Sequence, residues 1–152
     1  MALPNIFSLD ETNRVIERIN KLTNLSQPVW GKMNVAQMLA HSCVSYEMVY
    51  DDKHKAPSAI IKFILKTFLK KIIVGEGHFK KNSQTAPAFL ITDERDFSKE
   101  KERIISYLKK TQELGENYFE GKESLSFGKL NKTEWNNLFW KHMNHHLKQF
   151  GV

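Results

Sequence analysis

Two histidines, His142 and His146, stand four residues apart in the last helical stretch of the sequence. With about 3.6 residues per turn, side chains at this spacing project from the same face of a helix. A buried imidazole pair needs hydrogen-bond partners or a shared metal ion, because an unpaired polar group is unfavourable to bury. The rest of that face is apolar and carries Trp135, Leu138, Phe139, Met143 and Phe150.

A neighbouring histidine, His145, lies about 60 to 80 degrees away from the apolar face. Histidine-rich helix ends also occur as exposed patches without function, and this alternative stays open. The apolar surroundings of His142 and His146 favour a buried site instead. We therefore expect His145 to lie on the flank of such a site, or to contact its ligands without binding the metal ion itself.

A third candidate ligand, His41, lies on the second predicted helix, beside Met38 and Ser45 at the edge of an apolar face. A single histidine in this position is commonly a hydrogen-bonded core residue, which is the alternative to a metal ligand. Helical bundles build metal sites from facing helices, so His41 would complete a three-imidazole set. Cys43 lies about 200 degrees around the helix from His41 and is expected to be a small core residue.

The remaining candidates for chemistry are weaker. His54 and His78 are expected to be exposed loop residues. Glu76 and His78 would approach the site only if their loop folds over the end of the bundle. The sequence contains no phosphate-binding glycine loop, nucleophile elbow or Cys-x-x-Cys motif.

Two motifs resemble a known family. The closing segment HMNHHLKQF is similar to the last motif of the DinB/YfiT-like superfamily of four-helix-bundle metalloproteins, and the segment WGKMNVAQMLAH resembles the motif that supplies its first histidine. Together they resemble most closely an uncharacterised bacterial branch of that superfamily. The resemblance implies metal ligands at His41, His142 and His146, with His145 and Gln149 as residues that support the ligands.

The resemblance also implies a fold and a range of functions. We expect an all-α, DinB-like four-helix bundle of the up-down-down-up type, with an additional short helix and a long loop between the second and last main helices. Three imidazoles would hold a divalent ion, for which zinc and nickel are the first candidates and iron and manganese the alternatives. They would leave other coordination positions of the ion open for catalysis. The implied activity is a metal-dependent thiol S-transferase, or a related hydrolase or isomerase, acting on a small molecule with a low-molecular-weight thiol.

That activity is not the only interpretation of the site. The matched motifs define no acid–base residue, so the reaction type is left open. A non-catalytic helical bundle that binds a ligand or a partner is the alternative function.

Composition limits the class of protein further. The 152 residues are 41% hydrophobic and 26% charged, which is typical of one globular domain, expected here over residues 1–152. The lysines behind the net charge of +6 alternate with acidic residues and form no nucleic-acid-binding motif, so we expect no nucleic-acid partner. The single cysteine and the lack of a signal peptide are compatible with the cytoplasm.

Capping signals predict where the helices begin and end. Four of the five starts show an Asn or Ser N-cap, three of them with Glu or Gln three residues later, and the third helix begins after Pro57. The predicted helices span 9–22 (N-cap Ser8), 35–50 (N-cap Asn34), 58–73, 99–117 (N-cap Ser98) and the last stretch up to Gly151 (N-cap Asn131).

The third helix, 58–73, is unusually apolar. Its lysines Lys62, Lys66 and Lys70 form one stripe, and they argue against stable membrane insertion. The remaining apolar surface could be covered by a partner subunit in a homodimer, a ligand pocket, a membrane surface or simply a long loop. The irregular segment that follows, 75–97, contains the only strand signal, at 88–91.

Overall fold

The computed structural model describes residues 2–152 and is mostly helical, with one small two-stranded sheet. It also contains a π-helical turn at Leu65–Leu69 and a 3-10 turn at Pro87–Phe89. The helices are α1 (Leu9–Asn20), α2 (Val35–Tyr50), α3 (Ala59–Ile64), α4 (Lys70–Val74), α5 (Phe97–Phe119) and α6 (Lys132–Gln149), and the strands are β1 (Lys122–Ser124) and β2 (Gly128–Leu130).

Side-chain caps fix most of the helix starts as predicted. Asn34 and Asn131 each form a full capping box, with Gln37 and Glu134 as their respective partners. The start of α5 differs from the prediction, because Asp96 and not Ser98 is its N-cap and accepts from the backbone N–H of Lys99 at 2.7 Å. Helix α1 ends at Asn20, two residues earlier than expected.

Four helices enclose the core. Helices α1 and α2 both pack against α5 and α6, and α2 and α5 share the largest interface. Tyr46 of α2 stacks on Phe139 of α6 with ring centroids 4.7 Å apart. The fully buried side chains around this stack include Ile19, Leu39, Phe119, Ile104, Leu108, Met143 and Leu147.

The sheet lies where no strand was expected. Strands β1 and β2 form a short antiparallel hairpin in which Lys122 pairs with Leu130. Gly121 precedes β1 and Gly128 is the first residue of β2; their φ angles are 71° and 75°, a conformation that glycine adopts without strain. The strand signal at 88–91 was wrong, since this segment contains the 3-10 turn and no strand.

The predicted helix 58–73 is instead three consecutive segments, α3, the π-helical turn and α4, which together reach Val74. Helix α4 packs on α6 outside the four-helix core. Among residues 2–152, every helix is too short or too polar to reach across a bilayer.

Candidate metal centre

Three histidines from two helices meet inside the bundle. His41 comes from α2, and His142 and His146 lie one turn apart on α6. The Nε2 atoms of His41 and His142 are 3.0 Å apart, and one nitrogen from each of the three rings lies within 4.8 Å of the others. His41 and His146 are buried, whereas His142 keeps part of its surface exposed. The predicted trio therefore forms one compact cluster.

Each of the three rings has a separate partner for its Nδ1 atom. The Nδ1 of His41 lies 2.8 Å from the backbone carbonyl oxygen of Phe89, and the Nδ1 of His146 lies 2.8 Å from Oε1 of Gln149. Both oxygens can only accept, so these two Nδ1 atoms carry the proton. The Nδ1 of His142 lies 2.8 Å from the Ser45 hydroxyl, which can accept in the same way. This arrangement leaves the Nε2 lone pairs to face one another.

Burial keeps the rings neutral. It lowers the pKa of His41, lowers that of His146 to about 3, and holds the pKa of His142 well below its usual range, and the neighbouring histidines lower the pKa of each ring further. Neutral imidazoles are the form that binds a metal ion. At 3.0 Å, two facing Nε2 lone pairs repel each other unless a cation or a proton lies between them. The cluster is thus chemically suited to a cation.

The size of the cluster also fits one ion. Two nitrogens that bind the same zinc ion at about 2.1 Å are at most about 4.2 Å apart. Nitrogens that lie within 4.8 Å of one another can reach that arrangement through sub-ångström movements of the side chains. The donor set contains nitrogen alone, which suits zinc, nickel, copper or iron better than calcium or magnesium.

The WG pair of the second-helix motif has a structural role at this site. Gln149, which accepts from His146, also donates through Nε2 to the carbonyl oxygen of Trp30 at 2.8 Å. A Cβ atom at Gly31 would lie 2.5 Å from that Nε2, and Gly31 has a φ angle of 87°. Only glycine therefore leaves room for the amide that orients the His146 ring. Gln149 is thus hydrogen-bonded to the His146 ring, and its support of a metal ligand stays a prediction.

Aromatic side chains surround the cluster on the loop side. The Phe89 ring packs against both His41 and His142, with centroids 5.4 and 5.7 Å away. His145 makes edge contacts with Trp30 and Phe79, and its ring lies 5.1 Å from that of His146. His145 thus flanks the cluster, as expected, and does not belong to it. The loop 75–96 covers the site with Phe79 and Phe89.

A buried lysine fixes the start of this loop. Lys141 of α6 donates from Nζ to the carbonyl oxygens of Ile72, Ile73 and Gly75 at 2.8, 3.2 and 2.6 Å. These carbonyls end helix α4 and would otherwise lack partners. Burial lowers the pKa of Lys141 to about 8, so most of it is still protonated at neutral pH. The residue beside His142 therefore anchors the segment that covers the cluster.

Other sequence candidates lie elsewhere. Glu76 lines a separate depression with the N-terminal segment, and His78 is exposed as predicted. His54 was expected to be exposed, but it is partly buried and its Nε2 lies 2.8 Å from a carboxylate oxygen of Glu47. Cys43 is buried in the core as predicted, and burial raises the pKa of its thiol to about 12.

The sequence analysis did not assign a role to Ser45 or to the Phe89 carbonyl group. The spacing of Ser45, four residues after His41 on the same helix face, was a usable signal. No pattern marks a backbone carbonyl in a loop 48 residues away from its partner.

Replacing Ser45 with alanine is expected to weaken metal binding about 10- to 100-fold, because the Nδ1 atom of His142 loses its partner. Competition with a chromophoric chelator would measure the affinity. Ser42→Ala is the matched control, since Ser42 is equally buried on α2 but bonds to Met38. Equal affinities for the two variants would show that Ser45 does not support the ligand.

The fold and the cluster together define a helical protein with three histidines that could hold a metal ion. A family model described as "Protein of unknown function (DUF1569)" matches residues 4–151, and the chain belongs to this family. No curated protein and no solved structure matches the chain. The resemblance to the DinB/YfiT-like superfamily stays a prediction that rests on the two sequence motifs.

Proposed function

We propose that the protein binds one divalent metal ion through the Nε2 atoms of His41, His142 and His146. The observation that carries this proposal is the orientation of the rings: every Nδ1 has a partner outside the cluster, and the Nε2 atoms of His41 and His142 face each other at 3.0 Å. Zinc and nickel are the first candidates because imidazole suits both ions, and iron and manganese are the alternatives.

We further propose that the chain is a DinB-like bundle and a metal-dependent enzyme of the cytoplasm. Three neutral protein ligands leave coordination positions for other groups, which is typical of catalytic sites. A divalent ion held there would act as a Lewis acid and lower the pKa of a bound water or thiol. The proposed reaction is the transfer of a low-molecular-weight thiol to a small electrophile, or a related hydrolysis or isomerisation.

The residues of the chain would contribute orientation and access. Ser45, Gln149 and the Phe89 carbonyl hold the three rings in place, so that the cluster needs little rearrangement to bind an ion. Phe89 packs on the His41 and His142 rings from the loop side and limits the access of bulk water there. Lys81, whose Nζ lies 4.3 Å from the Trp30 ring, adds a positive charge near this side that favours anionic substrates.

An activity screen of metal-loaded and metal-free protein tests the proposed enzyme. The screen would combine small thiols with alkyl halide and epoxide electrophiles, and would include ester and amide hydrolysis. We expect activity that needs the ion and is absent in His142→Ala but kept in His78→Ala. A metal-loaded protein that is silent throughout, yet shows saturable binding of small thiols in calorimetry, would instead support the non-catalytic binding protein.

A further inference from the structure

The outer face of the α3–α4 helix is apolar and exposed. The exposed fractions of Ile60, Phe63, Phe68 and Ile72 are 75%, 68%, 68% and 56%. This helix packs on α6 through its opposite side, so the exposed face belongs to no described interface within the chain. Four large apolar side chains aligned on one helix are more than the scattered apolar residues that an ordinary surface carries. We call this surface the outer face.

The π-helical turn keeps the outer face in line. In an uninterrupted α-helix, Ile72 would lie about 120° around the axis from Ile60, because each step of four residues drifts by about 40°. The π-helical turn at Leu65–Leu69 accommodates one extra residue and rotates the helix back by about 100°. Phe68 and Ile72 thereby stay on the same side as Ile60 and Phe63. The irregularity produces a single continuous apolar stripe.

Ion pairs on the inner side of the α3–α4 helix keep its apolar stripe facing outward. Lys62 binds Glu123 of the hairpin at 3.0 Å, and Lys70 binds Glu134 of α6 at 2.8 Å. Lys141 fixes the end of α4 through the backbone, as described above. These polar contacts and the buried Val74 side chain attach the helix to the bundle, and they leave Ile60, Phe63, Phe68 and Ile72 exposed.

The charge around the outer face is strongly positive. The segment 53–81 contains eight of the 23 basic residues but one of the 17 acidic residues. Three of its lysines, Lys53, Lys62 and Lys70, pair with acidic residues outside the segment. Lys55, Lys66, Lys71 and Lys80 of this segment are exposed. An apolar stripe with lysines beside it is the arrangement of helices that lie on anionic lipid surfaces.

We propose that the outer face docks the protein on the surface of an anionic lipid membrane. The charge distribution decides between this partner and a second copy of the chain. Two copies that met through this face would bring their lysine-rich segments together, and each segment contains a single acidic residue with which to pair them. Anionic headgroups would neutralise the lysines while Ile60, Phe63, Phe68 and Ile72 enter the interfacial region. This inference does not depend on the metal centre.

Co-sedimentation with phosphatidylcholine vesicles, with and without phosphatidylglycerol, tests the proposal. The wild-type protein is expected to pellet with the phosphatidylglycerol vesicles and to dissociate as salt is added. The double variant Phe63→Glu/Phe68→Glu is expected to bind these vesicles at least about tenfold more weakly than the wild type. The matched control is Leu9→Glu/Leu25→Glu, which changes charge equally at two exposed leucines outside the outer face and should bind within about twofold of wild type.

Two results would overturn the proposal. One is equal binding by Phe63→Glu/Phe68→Glu and the control variant, provided that both have the helical circular dichroism of the wild type. The other is a wild-type dimer in light scattering that Phe63→Glu/Phe68→Glu converts to a monomer, with no binding to either kind of vesicle. The second result would assign the outer face to self-association.

Discussion

The metal-free protein is expected to lose stability steeply as the pH falls below 6.5. Burial lowers the pKa of His146 from 6.5 to about 3 in the folded protein, with a further contribution from His41. Between these two values, the unfolded chain binds a proton at this position and the folded chain does not, so acid favours unfolding. A shift of this size corresponds to about 5 kcal/mol for His146 once the pH reaches about 3, and to about 3 kcal/mol near pH 4.

Urea unfolding at a series of pH values, in the presence of a chelator, would measure this effect. His146→Gln should reduce the dependence of the unfolding free energy on pH by up to one proton over this range. His78→Gln is the control and should keep the wild-type dependence, because His78 is exposed in the folded protein. An unchanged dependence in His146→Gln would show that the ring is not kept neutral by burial.

Replacing Arg103 with methionine is expected to lower the free energy of unfolding by about 3 kcal/mol. Arg103 of α5 bonds to both Glu47 of α2 and Glu100, whose side chains are 10% and 4% exposed. Its loss leaves two buried carboxylates without their main partner. The effect lies at the low end of the range for broken buried pairs, since Glu47 keeps His54 at 2.8 Å and Glu100 keeps Arg95 at 3.6 Å.

Chemical denaturation of Arg103→Met and of Lys109→Met provides the test. Lys109 is an exposed residue of the same helix, and its replacement should change the unfolding free energy by less than about 0.5 kcal/mol. Adding Glu47→Gln to Arg103→Met should recover part of the loss, because it removes one of the unpaired charges. A loss as small as that of Lys109→Met would contradict the buried network as a stabilising link between α2 and α5.

Local sequence signals were sufficient for much of the fold. The capping boxes at Asn34 and Asn131 depend on residues three positions apart, and both were predicted correctly. The pairing of His142 with His146 is equally local, since it follows from helix geometry. The short apolar run 88–91 was misassigned, because a run of this length does not by itself distinguish a strand from a helical turn, and here none of the turn's residues is buried.

The parts that could not be predicted depend on distant residues. The Phe89 carbonyl group meets His41 in a loop that begins at the carbonyl groups bound by Lys141. The close fit of Gly31 around Gln149 joins residues that are more than one hundred positions apart. The inclusion of His41 with the α6 pair was expected from a family resemblance, and the structure places the three rings together.

The most direct test of the metal centre is the stoichiometry of bound metal. The protein would be expressed without a polyhistidine tag, purified without chelators, and analysed for zinc, nickel, iron and manganese before and after reconstitution. Three inward-facing imidazoles predict about one ion per chain in the wild type and in His78→Ala, and almost none in a folded His142→Ala variant. Equal metal contents in wild type and His142→Ala, or a wild type that stays nearly metal-free after reconstitution, would contradict the three-histidine site.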